Sequence, residues 1–183
     1  MMKKAFTMLE LVFVIVIIGI LAAVIVPNTR SNPAPEAAVH LQNKIAYAQH
    51  LAQTDDKYDA TNVNWYKERW QIVFVDNNYT VMSNGVAARD PMDTSVNMSK
   101  DLGAEYGVTL GFGGDCPKIG TTMFLSFDNQ GRPLVGDLAN YTTPYMNAAN
   151  EDLLDSNCTI TITGDGGPIV ITVVPETGFV SGI

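Results

Sequence analysis

The strongest constraint on this chain is the run from Phe6 to Val26, in which only Thr7, Glu10 and Gly19 break an otherwise apolar sequence, leaving 18 of 21 positions apolar. As a helix rising about 1.5 Å per residue, 21 residues reach about 31 Å, close to the roughly 30 Å of a bilayer's hydrocarbon core. The run therefore predicts a membrane-spanning helix over Phe6 to Val26. Lys3 and Lys4 precede it and would hold the N-terminus on the cytoplasmic side, sending the rest of the chain across.

Three readings compete for this segment: a cleaved secretory signal, a plain anchor, and an anchor that also assembles. A secretory signal carries an apolar stretch of about 7 to 15 residues before a small-residue cleavage site. Ala22-Ala23 could serve as such a site, but Leu11 to Val26 is already 16 residues long and Glu10 stands at its entrance. A charge at the centre of a spanning helix costs roughly 2.5 to 3.5 kcal/mol and less near an end, and such a residue usually has a partner. Glu10 either snorkels to the surface or meets an opposite charge.

Composition narrows the function classes. The chain has 183 residues, 46% of them hydrophobic and 16% charged, with 11 basic against 19 acidic residues and a formal charge of -8. That length suits about one domain, and that sign is wrong for a protein whose main work is neutralising nucleic-acid phosphates. Two cysteines and two histidines leave little room for a zinc site. His40 and His50 lie ten apart, which fits exposed helix positions better than an i, i+4 ligand pair. No metal site, cofactor or catalytic constellation is expected, and the chain reads as a non-enzyme.

The N-terminus carries a family resemblance. Lys3-Lys4-Ala5-Phe6-Thr7-Met8-Leu9-Glu10-Leu11, the apolar run, Ile18-Gly19-Ile20-Leu21-Ala22-Ala23 and Pro27 resemble the start of type IV prepilins and the pseudopilins of type II secretion. The resemblance implies removal of a leader, residues 1–5, by a prepilin peptidase between Ala5 and Phe6, followed by methylation of the new amine on Phe6. Ala5 stands where the family usually has glycine. It also implies that Glu10 meets the N-terminal amine of a neighbouring subunit, a buried pair better suited to setting registry than to adding stability. Gly19 and Pro27 are tolerated in such a helix, Gly19 as simple tolerance or as a close-packing point. Implied partners are other pilin or pseudopilin subunits, the prepilin peptidase, an inner-membrane assembly platform, and the inner membrane itself before assembly.

Beyond the helix, the expected organisation is a transmembrane and assembly segment at 6–27, a proline-containing linker at 28–35 and a periplasmic globular domain at 36–183. Pro33 and Pro35 argue against one unbroken helix. Glu36 to Gln53 reads as a helix with Leu41, Ile45, Ala48 and Ala52 on one face. Strand and turn signals follow: Trp70–Val75 and Tyr79–Ser83 around Asp76-Asn77-Asn78, then Met123–Phe127 and Arg132–Val135. Thr159–Thr163 and Ile169–Val174 flank Gly164-Asp165-Gly166-Gly167, and a last short strand covers Phe179–Ser181. Ala87–Glu105 and Gly136–Asp155 read as long loops, and Gly111-Phe112-Gly113-Gly114 as another. The expected fold is α+β and pilin-like, an N-terminal transmembrane helix followed by a helix packed on an antiparallel sheet. Phe124-x-x-Phe127-Asp128-x-x-Gly131-x-Pro133 and the closing stretch Thr172 to Val180 more narrowly resemble the H-type pseudopilins and FimT-like minor pilins.

Four further features carry expectations. Cys116 and Cys158 lie in the part read as exported, where oxidation is favoured, so the two are expected to pair in a disulfide rather than stand as free thiols. Lys67 and Arg69 beside Trp65, Tyr66 and Trp70 form a basic and aromatic cluster that could contact nucleic acid, although a half-buried strand entrance fits the acidic whole better. Asp55-Asp56-Lys57-Tyr58-Asp59 reads as a solvated helix end rather than a calcium loop. Asn78-Tyr79-Thr80 and Asn157-Cys158-Thr159 are glycosylation sequons that chance turns explain equally well. The resulting functional expectation is a minor pilin or pseudopilin of a pilus or secretion filament. The alternative is a minor pilin that captures DNA or a surface.

Overall fold

The computed structural model describes residues 7–25, 32–145 and 153–182, with the side chains of 23–25 excepted. Ala5, Phe6 and Pro27 lie outside the described residues, as does 28–31 of the expected linker. The chain divides into two compact units, Met1–Asn32 and Pro33–Ile183.

In the first unit, α1 (Met8–Ile25) has 18 residues, about 27 Å at 1.5 Å per residue. The expected transmembrane helix is overturned here. Among the described residues no helix is long and apolar enough to cross a membrane. The 21-residue span drew on Phe6 and Val26, which lie outside the described residues, and the described side chains of α1 end at Ala22. A single-pass placement in the inner membrane, with the C-terminal domain on the periplasmic side, falls with that helix.

The second unit is α+β with antiparallel pairing. Helix α2 (Pro33–Thr54) starts three residues before Glu36. Pro33 and Pro35 occupy its first turn, where N–H groups have no intrahelical partner, so proline's missing donor costs nothing. The stripe Leu41, Ile45, Ala48 and Ala52 is buried as expected, and Ala34, Ala37 and Ala38 extend it toward the N-terminus. Seven small or branched side chains on one face let the helix sit close against a sheet.

The strands are β1 (Gln71–Val75), β2 (Asn78–Ser83), β3 (Val86–Ala87), β4 (Ser99–Asp101), β5 (Thr109–Gly114), β6 (Lys118–Ile119), β7 (Thr122–Phe127), β8 (Pro133–Leu134), β9 (Cys158–Gly164), β10 (Gly167–Val173) and β11 (Val180–Ser181). The first sheet runs β3-β2-β1-β7-β6, with β4 on β2 and β8 on β7; the second runs β11-β10-β9-β5. Helix α2 packs on strands of both. Ile72 and Phe74 of β1, Leu125 and Phe127 of β7, Ile160 and Ile162 of β9, and Ile171 and Val173 of β10 close the core beneath it. This is the period-two alternation of half-buried strands.

Several elements depart from the expected loops. The polar stretch Ala87–Glu105 contains β4 and the short helix α3 (Leu102–Tyr106), whose Asp101 cap accepts from the Ala104 N–H at 2.9 Å. The glycine-rich Gly111–Gly114 belongs to β5, an edge strand whose free side is covered. Asn77 Oδ1 accepts from the Leu110 N–H at 2.9 Å, and Lys118 Nζ donates to the Phe112 carbonyl at 3.3 Å, which blunts an edge that would otherwise pair with another chain. Cys116 and Cys158 form a disulfide with a sequence separation of 42. It fastens the start of β9 to the segment that leaves β5 for the first sheet.

Two measurements check this account. Leu41→Ala and Ile45→Ala, at fully buried sites, should each cost about 2 to 5 kcal/mol, seen as a lower urea midpoint with an unchanged slope. Replacing both cysteines by alanine should lower stability by up to about 4 kcal/mol, the loop-closure entropy of a ring of this size.

Candidate assembly site

The candidate site is built on α1. Thr7 precedes the helix, and the Glu10 N–H donates to Thr7 Oγ1 at 3.3 Å and to the Thr7 carbonyl at 3.1 Å. Thr7-Met8-Leu9-Glu10 thus has the spacing of a capping box, with Thr7 as N-cap and Glu10 three positions inside the helix. A carboxylate in the first turn also complements the positive end of the helix dipole. T-x-x-E ahead of an apolar run is the sequence signal for this local role of Thr7. Glu10 is exposed.

The remaining side chains of the helix are apolar on every side. Leu11 is 57% exposed, Val12 59%, Phe13 66% and Val14 43%; four consecutive positions go once round a helix of about 3.6 residues per turn, so the exposure belongs to the whole circumference and not to one stripe. A Cβ placed on Gly19 meets nothing within 4 Å, so nothing in the described chain requires glycine there.

The basic and aromatic cluster is placed differently. Trp65–Glu68 forms a 3-10 turn, and Arg69 just after it is 5% exposed. Its guanidinium donates to the Pro144 carbonyl at 2.7 Å and lies 4.9 Å from the Trp65 ring and 4.8 Å from the Tyr145 ring. Lys67 Nζ donates to the Ala139 carbonyl at 3.2 Å. Lys57 sits 5.0 Å over the Trp70 ring and pairs with Asp55, which also accepts from Trp70 Nε1 at 3.0 Å. Arg69 is thus buried against one carbonyl and two rings, the arrangement of a half-buried strand entrance. The cluster holds the strand entrance together.

The motif Phe127-Asp128-x-x-Gly131-x-Pro133 also resolves into a structural device. Asp128 is fully buried. Its carboxylate accepts from the Gln130 and Arg132 N–H groups at 2.9 and 2.8 Å, from Arg132 Nε at 2.7 Å, and from the Tyr145 hydroxyl at 3.3 Å. Gly131 has φ +81°, and a Cβ there would lie 2.3 Å from Gln53 Nε2. Gln49 Nε2 donates to the carbonyls of Gly131 and Thr177 at 2.8 and 2.7 Å. Gly178, with φ +63°, would bring a Cβ within 2.5 Å of the Gly131 carbonyl. The two glycines therefore let two turns close on one glutamine of α2.

Among the described residues no group of three or more histidine, cysteine, aspartate or glutamate side chains is arranged to hold a metal. His40, expected on an exposed face, is half-buried between the rings of Tyr79 and Tyr106, with Nε2 2.7 Å from the Tyr79 hydroxyl. Burial holds its pKa below the usual 6.5, helped by the positive charges of Lys100 and Lys44 and opposed by Glu105 and Asp90. Burial likewise pushes the Tyr79 phenol up. No family model, no curated protein and no solved structure matches this chain.

A folded-state pKa below the unfolded value has a definite consequence. As pH falls below about 6.5, the unfolded chain takes up a proton on His40 that the folded chain resists, so stability falls. The urea midpoint should therefore drop between about pH 7 and pH 5.5, and His40→Gln should flatten that slope. An equal slope in both proteins would remove His40 as its source.

Proposed function

We propose that this chain is a non-enzymatic filament subunit, a minor pilin or pseudopilin that polymerises through α1. The observation that carries the reading is the helix itself: apolar side chains exposed around its whole circumference, with a single carboxylate in the first turn. A helix apolar on every side must be covered, and packing among copies of the same helix would cover it. The resemblance of Lys3 to Pro27 to prepilins supplies the partners: other such subunits, a prepilin peptidase and an assembly platform. The Cys116–Cys158 disulfide adds that the second unit matures where thiols are oxidised.

On this reading, cleavage between Ala5 and Phe6 creates an amine, and Glu10 of a neighbouring copy accepts it, setting the register between helices. Removal of the leader discards Lys3 and Lys4, leaving 9 basic residues against 19 acidic. Subunits of such charge repel, so assembly would depend on the apolar helix, whose one carboxylate is met by the amine of a neighbour.

Mass and N-terminal sequence of the protein made with and without a prepilin peptidase test the reading. The expected product begins at Phe6, and one beginning at Met1 or after Ala23 would overturn it. Glu10→Ala should be cleaved normally but fail to polymerise; normal incorporation would refute the registry role.

A further inference from the structure

The first sheet carries a cavity on the face turned away from α2. β1 and β7 turn Ile72, Phe74, Leu125 and Phe127 to the core. Period-two alternation therefore puts Gln71, Val73, Phe124 and Ser126 on the opposite face, with Met82 of β2 beside Gln71. These outer residues are sunken: Gln71 is 7% exposed, Val73 9% and Ser126 0%. Gln71, Val73, Met82 and Phe124 line a cavity of about 430 Å³, and Lys67 and Asp137 stand in its wall. An apolar lining of that size with a few polar groups has the make-up of a small-molecule site.

The polar groups are only partly spent. Ser126 Oγ donates to Gln71 Oε1 at 3.2 Å, while the N–H donors of Gln71 Nε2 have no partner among the described residues. No sealed side-chain nitrogen among those residues lacks a partner, so Nε2 opens on the cavity that its residue lines. Lys67 Nζ gives one of its donors to the Ala139 carbonyl at 3.2 Å, and Asp137 Oδ1 accepts from the Ala139 N–H at 2.9 Å. Among the described residues, neither Lys67 nor Asp137 forms an ion pair, with the other or with any third side chain. A cation and a carboxylate thus share one wall unpaired.

We propose that this cavity binds a small zwitterion with an apolar side chain, a free amino acid of the leucine class or a dipeptide built from it. The lining selects that occupant. Val73, Met82 and Phe124 take the side chain, the Lys67 ammonium and the Gln71 amide donate to the carboxylate, and Asp137 takes the ammonium. A plain acid would face Asp137 with like charge, and a plain amine would face Lys67 in the same way. An uncharged apolar ligand would leave all three polar groups without partners. The site lies wholly in the second unit and needs nothing from the filament reading.

The test is calorimetric titration of the full chain, in a nonionic detergent, with leucine, leucyl-leucine, isocaproate, which lacks the amine, and isoamylamine, which lacks the carboxylate. Leucine or the dipeptide should bind saturably, and the tighter of the two names the source. Each analogue should bind about tenfold more weakly than leucine, the worth of one hydrogen bond to a charged group. Asp137→Asn keeps a side-chain oxygen for the Ala139 N–H; it should cost leucine about tenfold and leave isocaproate no weaker. Lys67→Gln should cost leucine as much and spare isoamylamine. The isotope-labelled methyl signal of Met82, assigned through Met82→Leu, should shift at saturation while that of Met98 in the core stays fixed. The proposal is overturned by no saturable binding of either leucine or the dipeptide, by equal affinity for leucine and isocaproate, by leucine binding that Asp137→Asn leaves unchanged, or by an unmoved Met82 signal.

Discussion

Everything in the second unit depends on one packing contact, the narrow buried face of α2 against two antiparallel sheets. Ala34, Ala37, Ala38, Ala48 and Ala52 present little more than methyl groups, and Leu41 and Ile45 supply the bulk. Small residues bring the helix axis close enough for strands of both sheets to touch it. Neither sheet could bury its apolar face alone, because each is covered on one side only.

Several polar groups fasten the turns around that contact. Gln49 reaches two turns that glycine alone allows to come so near. Asp128 spends its carboxylate on the turn it belongs to, and Arg69 spends its guanidinium on one carbonyl and two rings. Such groups are costly to bury unless every partner is supplied, and among the described residues no buried side-chain nitrogen or oxygen lacks one. They act as fasteners. Among the exposed surfaces, the circumference of α1 is apolar apart from Glu10 and the outer face of β9 and β10 carries no charge.

Much of the globular unit was legible in the sequence because strong local signals agreed with the final environment. The stripe from Leu41 to Ala52, the Asp76-Asn77 hairpin turn and the alternation through Ile160, Ile162, Ile169 and Ile171 each have a period that only one element satisfies. The misses share a cause. Strand β5 carries three glycines among its six residues and has no intrinsic strand preference; it is a strand because β9 pairs along its length. Helix α3 has five residues and would not stand alone. His40 looked accessible because a sequence shows which residues are polar and not which rings fold over them. The reach of the N-terminal helix was overread, since the 21-residue span counted positions outside the described helix.

The sequence by itself determined the class of the second unit, the position of its main helix and most of its turns, because hydrophobic period and turn chemistry are local. It also set the apolar character and charge of α1, and with them the functional proposal. Only the tertiary structure decided that Arg69 and Asp128 are buried fasteners, and that the threonines of β9 and the glycines of β5 make one uncharged face; the pairing of Cys116 with Cys158, expected from the sequence, is present. Those outcomes depend on which distant segments meet, and register between strands far apart in the chain is written in no single stretch of it.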